Sequence, residues 1–209
     1  MTPLTIYVDF ASAAARLAVA PTCALAASLG IVPDWQPCPV EERPMATRGN
    51  ARGAEHARIR AAYRRREEAY YARVQGLELN YPVGPARVAN AALAWANRHG
   101  AGDAWTRSAF DAIWAGRLDP DDPAAVEAVL TDWCPIVGFG SFLDAEADAA
   151  LAANKARALE HGAISVPAYV IRDQLFIGRE HLPMIRWLLE NDDGTPATLR
   201  DAQAGQHDG

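Results

Sequence analysis

The sequence has no Cys-x-x-Cys pair. Its three cysteines, Cys23, Cys38 and Cys134, stand far apart. That excludes a vicinal dithiol and a cysteine-built metal knuckle, and it suits a reducing, cytoplasmic location. No apolar run approaches the roughly 18 residues that a membrane span needs. The amino terminus lacks a basic region followed by an apolar one, so no secretory signal is expected. Positive charge is also short, with 20 Lys and Arg against 26 Asp and Glu, a net charge of −6. That balance weighs against a nucleic-acid partner. The histidines, His56, His99, His161, His181 and His207, show no metal-ligand spacing, and no metal is expected.

What is present is globular. Half of the 209 residues are hydrophobic and 22% are charged, enough for one large domain or a domain with an insertion. Leu4-Thr5-Ile6-Tyr7-Val8-Asp9-Phe10 alternates and reads as a strand. The alanine-rich run over 13–20 reads as a helix, with Ser12 at or beside its N-cap. Pro21 predicts a kink or a fresh helix start, and Gly30 ends the segment. Residues 32–38 read as a second strand. Strand, helix and strand make a βαβ unit with parallel pairing.

A polar stretch over 39–55 reads as loop. Residues 56–74 form a charged helix rich in arginine, followed by helical patterns over 85–99, 106–116, 123–130 and 139–161. Asp122-Pro123 is a clean helix start, an N-cap aspartate with proline at N1. Ile164 to Ile171, Arg172-Asp173-Gln174 and Leu175 to Gly178 read as strand, turn and strand. Pro167 lies at the mouth of that hairpin, where it cannot interrupt a ladder and where a cis bond is accessible. Residues 181–190 read as a closing helix.

The order βαβ, helical block, ββα predicts an α/β thioredoxin-like fold with a large all-helical insertion. Residues 1–55 carry the first half of the thioredoxin-like domain, 56–160 the insertion and 161–190 the second half. Residues 191–209 form a polar tail.

These residues carry a resemblance. Asp9-Phe10-Ala11-Ser12, residues 30–37, Ser165-Val166-Pro167-Ala168-Tyr169-Val170-Ile171 and Phe176-Ile177-Gly178-Arg179-Glu180-His181-Leu182 resemble segments of the 2-hydroxychromene-2-carboxylate isomerases. They also resemble the kappa-class glutathione transferases, within the DsbA-like superfamily. The likeness is specific at both ends of the chain and loose in the helical middle. It implies a glutathione-dependent cis-trans isomerase acting on a small aromatic pyruvate-type substrate. A transferase or peroxidase reaction, or a binding scaffold without thiol chemistry, stands as the alternative. Homodimers are common in such relatives.

The resemblance makes Ser12 the catalytic residue. It stands where oxidoreductases of the superfamily place their first cysteine, and Ser12-Ala13-Ala14-Ala15 holds no thiol. A hydroxyl at a helix N-terminus can steady a bound thiolate; it can equally just cap the helix. The resemblance assigns glutathione contacts to Asn50, Arg60, Val166, Pro167, Arg179 and Glu180. Val166 would act through its backbone, as in strand addition. Arg60 stands where relatives have lysine, and it fits an exposed charged helix face as well. The chain departs from the family pattern at Ala13, where proline is usual, and at Arg179-Glu180. Tyr63, Tyr70, Trp95, Trp105, Trp114 and Trp133 could line an aromatic pocket or pack the core.

Overall fold

The computed structural model describes residues 4–40 and 51–191. Strand β1 (Leu4–Val8) leads into helix α1 (Ala13–Leu29), and strand β2 (Asp34–Pro37) follows. Helices α2 (Ala51–Gln75), α3 (Arg87–Arg98), α4 (Gly102–Trp114), α5 (Pro123–Leu130), α6 (Phe139–Ala145) and α7 (Ala147–Glu160) come next. The hairpin of β3 (Ala168–Ile171) and β4 (Gln174–Ile177), a short 3-10 turn (Arg179–His181) and helix α8 (Leu182–Glu190) close the fold.

The four strands form one sheet in the order β2-β1-β3-β4. β1 pairs in parallel with β2, Ile6 opposite Trp35, and antiparallel with β3, Ile6 opposite Tyr169. β3 and β4 join through Arg172-Asp173, with Ile171 opposite Gln174. Arg172 takes φ of 54°, the left-handed geometry that a tight two-residue hairpin turn demands.

Alternation sorts the side chains onto two faces. Leu4, Ile6, Val8, Trp35, Tyr169 and Ile171 share a core with α1, α8 and the helical block, including Trp105, Phe110 and Trp114. Tyr7, Ala168 and Val170 turn to the other face, where Ala158 of α7 and Ala163 cover them. The insertion therefore builds one continuous core with the sheet. Complete burial of one large apolar side chain contributes about 1.5–3 kcal/mol, so this shared core ties the block firmly to the strands.

Several boundaries differ from the sequence reading: β3 starts at Ala168 rather than at residue 164, and α4 at Gly102 rather than at residue 106. α1 runs unbroken through Pro21. Proline has no N–H to give to the carbonyl four residues back, which here is Leu17. Gln75, at the end of α2, donates its Nε2–H to that carbonyl at 2.9 Å, so a side chain from a distant segment replaces the missing bond. α2 begins at Ala51 rather than at residue 56, and the single helix expected over 139–161 is two, with Glu146 between them. Apart from Asn191, the tail expected over 191–209 lies outside the described residues.

Candidate active site

The site begins at the turn from β1 into α1. Asp9 ends the strand buried, 4% exposed, with its carboxylate fully used. Asn90 of α3 donates its Nδ2–H to Oδ1 at 2.9 Å, Ala11 N–H donates to the same oxygen at 3.0 Å, and Val40 N–H donates to Oδ2 at 2.9 Å. Burial pushes the carboxyl above the ordinary aspartate range, and the three donors oppose that rise. One carboxylate thus ties the turn to α3 and to the segment after β2. Trp114 of α4 adds a bond from Nε1–H to the Phe10 carbonyl at 3.0 Å.

This turn delivers Ser12 to the N-cap of α1. Ser12 Oγ accepts from Ala15 N–H at 3.2 Å, and its backbone is extended, with φ −89° and ψ 117°. The hydroxyl proton remains available to donate, because capping uses only an oxygen lone pair. The N–H groups of Ala13 and Ala14 have no acceptor among the described residues, as the first turn of any helix requires.

Opposite this helix end, the Val166–Pro167 peptide bond is cis. The Pro167 carbonyl accepts from Gly178 N–H at 2.9 Å, while the backbone N–H and C=O of Val166 have no partner among the described residues. Gly178 has φ of 101°, and a side chain there would run into the Glu180 carboxylate. Glycine at this point lets the chain fold back and set Glu180 beside the proline turn.

A cleft of about 190 Å³ lies between these parts, lined by Ala14, Val166, Pro167, Gly178, Arg179 and Glu180, and across from them by Arg64, Glu67 and Glu68 of α2. Arg179 is held in place: its guanidinium lies 3.7 Å from the centre of the Tyr71 ring and 3.9 Å from Glu67 Oε1. Tyr81 donates its hydroxyl proton to Glu68 at 2.7 Å and stacks edge-on against Trp114, centroids 5.3 Å apart. Burial first, then the Glu68 carboxylate, push the Tyr81 phenol up to about 12.

The expected site residues are thus only partly gathered. Val166, Pro167, Arg179 and Glu180 line the cleft. Ser12 is half-buried at its edge, with Ala14 on the same helical turn forming part of the wall. Arg60 is exposed and absent from the lining; Arg64, one turn further along α2, takes the place expected of it. Asn50 lies outside the described residues. Trp95, Trp105 and Trp114 are buried core residues, and Tyr63, Tyr70 and Trp133 are exposed away from the cleft. The sequence reading missed Arg64, Glu67, Glu68 and Tyr81, and it missed the tethering work of Asp9 and Asn90. An acid directly after an alternating apolar strand was the available signal for Asp9.

The structure can be set beside known ones. It superposes on 2-hydroxychromene-2-carboxylate isomerase with a TM-score of 0.70 at 21% identity, covering 92% of this chain and 99% of that one. It also matches the cytosolic disulfide reductase DsbM from Pseudomonas aeruginosa, TM-score 0.62 at 17% identity, with 90% and 97% of the two chains covered. DsbM solved with GSH matches at 0.60 and 15% identity over the same shares. No family model matches the sequence, and no curated protein does. At these identities the likeness is one of fold. The chain has the DsbA-like form of the thioredoxin fold, a mixed four-stranded sheet carrying a helical insertion.

The residues of the cleft fit a small zwitterionic peptide such as glutathione. Val166 offers an unpaired backbone N–H and C=O, the pair that an added strand uses. Arg64 and Arg179 can meet carboxylates, and Glu67, Glu68 and Glu180 can meet an ammonium. The free N–H groups of the first turn of α1 lie at the same cleft through Ala14.

Proposed function

We propose that this protein is a glutathione-dependent cis-trans isomerase of a small aromatic pyruvate or chromene-carboxylate type compound. The observation that carries the reading is the meeting, in one cleft, of a thiol-free helix N-terminus with an unpaired backbone segment beside Pro167. When bound, glutathione supplies a thiolate that adds reversibly to a conjugated double bond, allowing rotation about it. The chain's own residues bind and orient. Ser12 donates its hydroxyl proton toward the sulfur position, and the unsatisfied N–H groups of Ala13 and Ala14 add the positive end of the α1 dipole, equivalent to roughly half a charge. Both lower the pKa of a thiol placed there. Val166 aligns the peptide backbone, while Arg64, Arg179 and Glu180 hold its charged ends. With no cysteine from Ser12 to Ala15, the helix end cannot form a mixed disulfide, so the bound thiol stays available. The reading places the chain in the reducing cytoplasm, where its three cysteines are free thiols.

The test is ring-opening isomerisation of hydroxychromene carboxylate with and without glutathione. The expected rate rises with glutathione and saturates, and glutathione is not consumed. A rate indifferent to glutathione contradicts the reading, and consumption turns it toward the transferase alternative. In the scaffold alternative Ser12 is a helix cap alone, the role its Oγ fills toward Ala15 N–H. Failure of glutathione to bind would select this alternative.

A further inference from the structure

Among the described residues a single lysine or arginine is buried, Arg16 of α1, 6% exposed. It stands four residues after Ser12 on the same face of the helix, where β-carbons lie roughly 5–6 Å apart. Helical side chains lean toward the N-terminus, so the guanidinium lies over the turn that Ser12 opens. Helix α4 holds it there. Arg16 Nη1 meets Asp111 Oδ1 at 2.7 Å. Trp114, three residues further along α4, donates its Nε1–H to the Phe10 carbonyl. The ion pair therefore stands about one helical turn from the site.

The pair is lopsided. The Arg16 side chain is 8% exposed and that of Asp111 is 61% exposed. Arg16 Nε is enclosed and has no partner among the described residues. Water screens the carboxylate far more than the guanidinium, so the positive charge is felt inside the protein. Other charges near this helix end are engaged: Asp9 by three donors, Arg179 by Glu67 and Tyr71, and Glu68 by Tyr81. Arg64 and Glu180, also on the cleft, carry opposite signs. A buried ion pair contributes little to stability, and an apolar side chain would fill the place of Arg16 without desolvating a charge.

We propose that Arg16 is a positioning residue of this site, whose buried charge makes the end of α1 electropositive enough to hold a sulfur beside Ser12 as the thiolate. Ser12 and the free N–H groups face that sulfur; Arg16 adds a full charge behind them, where the helix end alone supplies roughly half of one. The use of this field on glutathione rests on the function proposed above, whereas the field itself does not.

The test places the sulfur covalently, by Ser12→Cys, and needs no glutathione. Burial pushes the thiols of Cys23, Cys38 and Cys134 up, so thiolate absorbance near neutral pH reports the introduced sulfur. Adding Arg16→Met should raise the pKa of that sulfur by about one unit. Adding Asp111→Asn instead, which removes the counter-charge and keeps the cation, should lower it. A pair with only a structural role would give both changes the same sign, since either one breaks it. A pKa indifferent to Arg16→Met, or shifts of one sign for both, overturns the proposal. Asp111→Asn alters an exposed side chain and decides alone if Arg16→Met does not fold, an unchanged or raised value being the contrary result. Shifts of the expected signs in a protein that binds no glutathione uphold the field of Arg16 and overturn only the proposed function.

Discussion

The two walls of the cleft are built in opposite ways. One wall, the β1–α1 turn with Val166 and Pro167, is fixed by buried polar bonds from three other segments. The other, α2, is an exposed charged helix tied to the body through Ala72 and Gln75. Chemistry that needs sub-ångström placement belongs to the first wall, because its donors cannot move without breaking the core. The second wall supplies charge, which tolerates imprecision at the cost of being screened by salt.

Breaking the rigid wall should have the largest effect. Asp9→Ala leaves three donors without their acceptor, and each buried unsatisfied group costs about 1–3 kcal/mol. A loss of about 3 kcal/mol or more is expected in urea unfolding, together with loss of glutathione binding. Asp9 also predicts a pH trend. Its folded-state carboxyl is raised by burial, so the folded state binds the proton more tightly. Its contribution is fully present below the ordinary carboxylate range and is lost as pH rises through the elevated value. Asp9→Asn should remove that falling component from the stability profile.

Next comes the joint between the walls. Gln75→Leu strands the Leu17 carbonyl opposite Pro21, and a loss of about 1–2 kcal/mol is expected. The double variant Pro21→Ala with Gln75→Leu should recover most of it, because an alanine N–H can fill the gap.

Ser12 separates capping from chemistry. Ser12→Ala should cost about 1 kcal/mol, and Ser12→Gly only a few tenths. If the hydroxyl steadies a thiolate, both variants lose catalysis equally despite unequal stability. Activity that instead follows stability would reduce Ser12 to a cap. On the open wall, Arg64→Ala should leave stability within about 0.5 kcal/mol. It should weaken glutathione about tenfold, equivalent to about 1.4 kcal/mol, as read by calorimetry.

The same contrast explains what the sequence could reveal. Elements with strong local chemistry were readable: the alternation of β1, the Asp122-Pro123 helix start, the polar turn after Ile171 (read over Arg172-Asp173-Gln174, with Gln174 found to open β4), and the resemblance at both chain ends. Pro21 misled because its compensation comes from Gln75, a contact no local pattern encodes. Arg60 is singled out through the resemblance alone, whereas the cleft is lined by Arg64, and α2 buries almost nothing. With no apolar face turned inward, its periodicity does not reveal which arginine faces the cleft. Asp9 and Asn90 meet only through the packing of α3 against the strand end, far apart in sequence.

The central claim is that the end of α1 steadies a bound thiolate. Titrating the wild-type protein and Ser12→Gly with glutathione, by calorimetry and by thiolate absorbance, tests it most directly, since that variant keeps the helix nearly as stable. The account predicts saturable binding to both and a thiolate signal near neutral pH that is stronger in the wild type than in Ser12→Gly. Equal thiolate signals, or no binding to either at millimolar glutathione, would contradict it.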